Sequence, residues 1–315
     1  MNIGIVTPAP SESRSGNRVT AIRWAKILRK LGHRVVISQS YNGEAFEMLV
    51  ALHARRSSGS IKRFRRAHPS APLIVALTGT DLYRDLSRSK EAQDSLDVAT
   101  RIVVLQPQAL VELRRGWRKK ARVMYQSVSQ FNRPRSRLPI KSFDVCVVGH
   151  LRPVKDPFRA AKAASLVPRS SRIRVIHLGG ALTAPEATRA RLEMMSNTRY
   201  KWLGAVSPSQ VARVMAKSRL FVISSRMEGG ANALGEAIVA GLPVLASRIP
   251  GSIGILGDDY PGYFQVGDTR ELARLMLRCE TDPQFLADLT SRCRRLAVLF
   301  DPSREQSAWV DLLHD

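Results

Sequence analysis

The chain has 315 residues, 44% hydrophobic and 24% charged, a size and balance that suit two globular domains and exclude a disordered or fibrous chain. Its net charge of +24 is uneven: the part up to Lys141 holds 27 Lys and Arg against 9 Asp and Glu, the remainder 23 against 17. Such a field admits nucleic acid, an anionic membrane surface or a small anionic substrate as partner, beside the ordinary reading of solvated arginine faces.

Other classes are excluded by pattern. No apolar run approaches the roughly 20 residues that cross a bilayer, and Met1 to Val6 has no basic stretch leading into an apolar one, so no secretory signal is expected. Cys146, Cys279 and Cys293 are scattered without a CxxC pair, which argues against a disulfide framework or zinc site and suits a reducing, cytoplasmic location. Nucleic-acid binding lacks its signatures, with no helix-turn-helix, paired RNA-stacking aromatics or zinc finger and only 6% aromatic residues.

Taken in chain order, Ile3 to Thr7 reads as a buried strand and Pro8 to Asn17 as a loop rich in Pro, Ser and Gly. Arg18 to Leu31 reads as a helix, with Val19, Ile22, Ala25, Leu28 and Leu31 on one face, closed by Gly32. Further strands are predicted at Arg34 to Ser38, Leu49 to His53, Leu73 to Thr78, Ile102 to Leu105 and Val123 to Tyr125. Strand followed by helix, repeated, implies right-handed crossovers and a parallel sheet.

Residues 127 to 141, SVSQFNRPRSRLPIK, read as a linker, with two prolines, basic residues and no apolar period. The alternation then restarts. Strands are expected at Asp144 to Val148, Arg174 to Leu178, Leu220 to Ser224 and Val244 to Ser247. Helices are expected at Pro157 to Leu166, Pro185 to Met195 and Asn232 to Ala240, with a helical tail after Asp268. Two doubly wound halves place a ligand cleft outside the carboxyl ends of their strands. The expected domains are 1–141 (basic), 142–290 and a C-terminal helix in 291–315 that packs back toward the first.

The strongest local signal runs from Ser224 to Ala237, SSRMEGGANALGEA, followed by Gly241-Leu242-Pro243-Val244. A strand leads into a small-residue loop that opens a helix. Gly229 and Gly230 allow close approach of backbone N–H groups, and the helix start adds positive potential, so a phosphate or diphosphate suits the place. Glu228 and Glu236 lie in the loop and two turns into the helix, suited to sugar hydroxyls rather than to the diphosphate they would repel; the plain alternative is a cap and an exposed glutamate. A second element, Gly149-His150-Leu151-Arg152-Pro153-Val154-Lys155, leaves the first strand of the second half at its carboxyl end. There Arg152 offers a fork and Lys155 a point charge to the same diphosphate, or both are solvated surface cations. Asp258-Asp259 is a poor metal candidate, with no third ligand nearby.

Together, GHLRPVK and EGGANALGEAIVAGLPVLAS resemble the second domain of family-4 glycosyltransferases of GT-B fold, whose hallmark is Glu, seven residues and Glu, with G-x5-K upstream. The fold implied is α/β, two Rossmann-like domains facing each other across a donor cleft, with a helical C-terminal tail. The resemblance assigns Glu228 to donor-sugar hydroxyls, Glu236 to the ribose, and Lys155 with Arg152 to the diphosphate as it leaves. It gives backbone N–H groups of Gly229, Gly230 and Ala231 to the same cradle, beside Asn232, Gly149 and His150. The base falls near Leu203, Gly204 and Val206, and the loop Ser13-Arg14-Ser15-Gly16-Asn17 matches the glycine loop that closes over the donor. Two departures stand out: His150 follows the motif glycine where relatives have Arg, and Thr78-Gly79-Thr80-Asp81 stands where relatives carry His-Gly-x-Asp.

The opening VTPAPSESRSGNRVTAIRWAKILRKLGHRV, with ALHARRSSGSIKRF and LTGTDLYRDL, resembles a narrower group, the selenosugar synthases of selenoneine biosynthesis. These join selenophosphate to a UDP-sugar, typically UDP-N-acetylglucosamine. The expected partners are therefore UDP-sugar, selenophosphate and the enzymes that supply the one and consume the selenosugar, with no cofactor and no metal. A selenium nucleophile already anionic at neutral pH needs no general base, which is what Thr78 in place of His permits. Arg14, Arg18, Arg55 and Arg56 are candidate anion receptors, and Thr78 and Asp81 further candidates to meet the acceptor. The rival within the class is a lipid or polysaccharide acceptor at an anionic membrane, docked through Val111 to Arg122, VELRRGWRKKAR.

Overall fold

The apolar runs of the first half are continuous rather than alternating, and the structure, a computed structural model describing residues 1–13, 15–129 and 142–314, shows why. They form a six-stranded parallel sheet covered on both faces. The strands are β1 (Asn2–Val6), β2 (Arg34–Ser38), β3 (Met48–Leu52), β4 (Leu73–Ala76), β5 (Arg101–Val104) and β6 (Ala121–Val123), in the order β2-β1-β3-β4-β5-β6. Alternate residues enter two different cores. Ile3, Ile5, Val50 and Leu52 pack with Trp24 and Leu28 of the helix Gly16–Lys30. Leu49, Ala51, Val75 and Val104 pack with Ile61 and Phe64 of the helix Ser58–Ala67.

A second six-stranded parallel sheet contains β7 (Phe143–Val148), β8 (Ile173–Leu178), β9 (Tyr200–Trp202), β10 (Leu220–Ile223), β11 (Val244–Ser247) and β12 (Tyr263–Phe264), in the order β12-β11-β10-β7-β8-β9. The doubly wound α/β expectation holds for both sheets. Chain contacts define two compact units, the first of Met1–Ser127, Glu228–Ala231 and Asp301–Asp315 and the second of Val128–Met227 and Asn232–Phe300. The expected boundary at 141 and most of the expected linker, 130–141, lie outside the described residues.

The helical tail belongs in part to the first unit. The helix Pro302–His314 sets Trp309 edge-on against Trp24, ring centroids 5.1 Å apart, and buries Glu305 to 2% exposure. The Glu305 carboxylate accepts from Trp24 Nε1 at 2.7 Å and from Ser127 N at 2.8 Å, and pairs with Arg23 at 3.0 Å. Removing one partner of such a buried set leaves the others unsatisfied, at about 3 kcal/mol. Glu305→Ala is thus expected to lower the urea midpoint with little change in m-value, which equilibrium unfolding checks. Among the described residues no helix is long and apolar enough to cross a membrane.

Candidate active site

In an open parallel sheet the ligand crevice lies where the strand order reverses, outside the carboxyl ends. In the second sheet the chain runs β7, β8, β9 in one direction and returns to place β10 on the other side of β7. The reversal is therefore between β7 and β10, and the two loops leaving it are 149–156 and the segment from Ser224 onward, both singled out by sequence.

Backbone bonds fix the first loop. Gly149 N donates to Leu178 O at 2.8 Å and Leu151 N to Gly180 O at 3.0 Å, so the loop continues the β7–β8 ladder. A single 3-10 turn, Pro153–Lys155, follows, with Lys155 N on Arg152 O at 2.8 Å. Asp156 closes it in the left-handed region at φ 44°, its carboxylate 2.8 Å from Arg159. From the β10 side Ser224 Oγ donates to Asp156 O at 2.9 Å, and Arg226 N to Val154 O at 2.8 Å. Arg152 and Lys155 are half-buried on a turn held from both sides, and a Cβ on Gly149 would stand 4.0 Å from the Lys155 stem. Two cations so placed can neutralise a diphosphate without first being ordered.

His150, the departure after the motif glycine, has a defined partner: its Nδ1 accepts from Gly180 N at 3.1 Å, which leaves the hydrogen of the neutral ring on Nε2. The loop expected near a base, Leu203 to Val206, is tied to the same edge by Leu203 N on His177 O at 2.9 Å and Gly179 N on Gly204 O at 2.8 Å. The helix Asn232–Val239 carries Glu236, half-buried, in its second turn. Cys146 in β7 is fully buried, and burial, reinforced by the Glu236 carboxylate, pushes its thiol up to about 12. Asp258 and Asp259 face Arg248 at 3.4 Å and Arg292 at 3.1 Å.

The glycine pair has a physical reason that sequence alone misses. In the first unit a Cβ on Gly229 would fall 2.5 Å from Thr78 C, one on Gly230 2.5 Å from Leu105 Cβ, and one on Gly79 2.8 Å from Gly229 N. Glu228 and Gly229 press backbone to backbone on Thr78-Gly79, and Gly230 meets Leu105, so these contacts by themselves demand the glycine pair. Glu228 is half-buried within that unit, and Ala231 is buried.

Asp81, expected at the acceptor, is fully buried, and backbone N–H groups take up its carboxylate. Oδ1 accepts from Thr78 N and Gly79 N, each at 2.9 Å, and Oδ2 from Ala54 N at 3.0 Å. It therefore shapes the strand-end turn instead of meeting a substrate. Beside it stands His53, at the reversal point of the first sheet between β1 and β3, with φ 74° and 2% exposure. Its Nδ1 accepts from Arg56 N at 3.3 Å and its Nε2 meets Thr80 Oγ1 at 3.1 Å, while burial lowers its pKa. Thr78 and Arg18 are half-buried, as is Asn17, whereas Gly16, Arg55 and Arg56 are exposed. Gly16 and Asn17 open the helix Gly16–Lys30 instead of closing the preceding loop, and Arg14 lies outside the described residues. Trp117 is 6% exposed, donates to Asp97 Oδ1 at 2.8 Å and carries Arg114 over its ring, so the stretch 111–122 of the rival reading presents cations without its tryptophan.

No curated protein matches the chain by sequence. Among solved structures it resembles Anabaena HepE in complex with UDP-glucose, at TM-score 0.80 and 16% identity over 100% of both chains. It is also similar to sucrose-phosphate synthase from Thermosynechococcus elongatus, at TM-score 0.80 and 17% identity over 99% of this chain and 98% of that one. A glycosyltransferase from Rickettsia africae matches at TM-score 0.74 and 12% identity over 99% and 97%. Identities this low establish the fold, GT-B. Residues 128–296, more than half of the chain, match the family described as glycosyl transferases group 1. With the β7–β10 crevice carrying its cationic loop inside that match, the chain belongs to the glycosyl transferases group 1 family.

Proposed function

We propose that this glycosyltransferase transfers a sugar from a UDP-sugar, UDP-N-acetylglucosamine first among them, to selenophosphate. Selenium attacks the anomeric carbon, the bond from that carbon to the diphosphate oxygen breaks, and UDP leaves. Water then cleaves the phosphorus–selenium bond, giving phosphate and the selenosugar. Lys155 and Arg152 hold the leaving diphosphate, Gly149 and His150 line the same loop, and Leu203, Gly204 and Val206 receive the base. Glu228 and Glu236 bind sugar and ribose hydroxyls, with Asn232 at the helix start. HepE, similar in fold, was crystallised with UDP and with UDP-glucose, which supports a uridine donor. The dominant contribution is electrostatic stabilisation of the leaving group by cations already in place, a role that asks for no metal.

The observation that carries the acceptor is the state of the first unit's strand ends. At Thr78, where relatives carry histidine, the nearest carboxylate and imidazole are both occupied, Asp81 by backbone N–H groups and His53 by Arg56 N and Thr80. Neither is left placed as a general base at that strand end, and a selenophosphate anion, unlike an alcohol, needs none. The test is mass spectrometry of the protein with UDP-N-acetylglucosamine and fresh selenophosphate, without added metal. UDP plus a product of selenosugar mass is expected, and none when ordinary phosphate is substituted. A protein that binds the donor yet makes no such product would discard selenium, and co-sedimentation with anionic vesicles would then test a lipid acceptor.

A further inference from the structure

We infer that His177, backed by Tyr200, is a positioning residue for the diphosphate loop, acting through the Gly149 carbonyl; this rests on the donor reading above. His177 sits in β8 with 0% exposure and uses both ring nitrogens. Nε2 lies 2.9 Å from Gly149 O and Nδ1 2.8 Å from Tyr200 OH. A carbonyl can only accept, so Nε2 carries the hydrogen and Nδ1 accepts from the tyrosine hydroxyl. Burial keeps the ring neutral, lowering its pKa to about 4, and raises that of Tyr200, so the arrangement does not titrate in the neutral range.

The placement is unusual for a strand residue. Along the β7–β8 edge, Gly149 N still finds Leu178 O, but the next donor of the ladder, Gly180 N, turns to His150 Nδ1 instead. Gly149 O is therefore served by a side chain from inside the sheet. Every peptide bond here is trans, so drawing that carbonyl toward the imidazole turns the His150 N–H the opposite way, away from the core. The contact thus fixes the peptide plane at the head of the turn that carries Arg152 and Lys155.

The experiment compares His177→Leu, His177→Gln, Tyr200→Phe and Lys155→Ala in the full chain. It measures UDP affinity by calorimetry, donor KM and kcat with the product assay, and melting temperature. Loss of the contact is expected to weaken UDP binding and raise donor KM about tenfold, with kcat at saturation within about threefold; Gln, which still donates to Gly149 O, recovers most of it. His177→Leu or Tyr200→Phe with normal UDP affinity and KM, while Lys155→Ala has lost binding, overturns the inference alone. Normal UDP affinity in Lys155→Ala overturns the donor reading, and the inference with it. Should His177→Leu fail to fold, Tyr200→Phe decides, since it deletes a single hydroxyl.

Discussion

Gly179→Ala is expected to cost about 3–5 kcal/mol, or else to displace the loop after β7 and reduce donor binding at least about a hundredfold. Two independent costs fall on one methyl group. The backbone of Gly179 lies at φ 149°, a conformation L side chains rarely adopt, and a Cβ there would stand 1.9 Å from Gly149 O and 2.8 Å from His150 N. The methyl and the carbonyl cannot both keep their places, and that carbonyl is the one His177 holds. Gly43→Ala separates the two costs, because Gly43 also has positive φ, 104°, with nothing within 4 Å of its added Cβ. It carries the backbone cost alone, about 1 kcal/mol. Melting temperatures and UDP titrations of both variants make the comparison. A Gly179→Ala protein as stable as Gly43→Ala and equally able to bind UDP would show the loop free to move, contrary to the ladder described for it.

The parallel sheets were legible because their strands are buried on both faces. A run such as MLVAL, every residue buried, fits a strand covered on both faces, and at five residues it is short for a helix. The shortest strands gave no such signal: Tyr200–Trp202 and Tyr263–Phe264 are three and two residues long and hold their places only by pairing with β8 and β11. The sixth strand was expected at Val123 to Tyr125 and lies at Ala121–Val123, since its register is set by β5 and not by its own composition.

The candidate site divides the same way. Gly149 to Lys155 and Ser224 to Glu236 declared themselves, because a strand end, a glycine and a cation at fixed spacing are local properties. The partners of His177, Gly149 and Tyr200, come from positions distant in sequence, and nothing within RVIHL says that its histidine reaches Gly149. The rival dock at Val111 to Arg122 shows the same limit: its basic and tryptophan content is local, but only the fold shows that Asp97, twenty residues upstream, holds the Trp117 indole. Asp81 looked like a functional carboxylate by its motif, and only the turn it closes shows its four-sided confinement.

Lys155→Ala is expected to lower kcat/KM for the nucleotide-sugar by about 10²–10³, the cost of removing one preorganised group from a developing charge. Arg152→Ala should cost less, about tenfold, and the double variant less than the two combined, because both cations act on one diphosphate. The decisive comparison changes the leaving group rather than the enzyme. A dinitrophenyl glycoside releases a dinitrophenolate, a weaker base that carries less charge than a diphosphate and needs less help, so the loss in Lys155→Ala should shrink to about tenfold or below with that donor. Lys155→Arg keeps the charge on a different geometry and should fall between wild type and alanine. If Lys155→Ala turned over UDP-sugar at near-normal rate, the cationic turn would be scaffold only. If instead it lost both donors equally, Lys155 would be stabilising the sugar or the fold, and leaving-group stabilisation would have to be sought at the start of the helix Asn232–Val239.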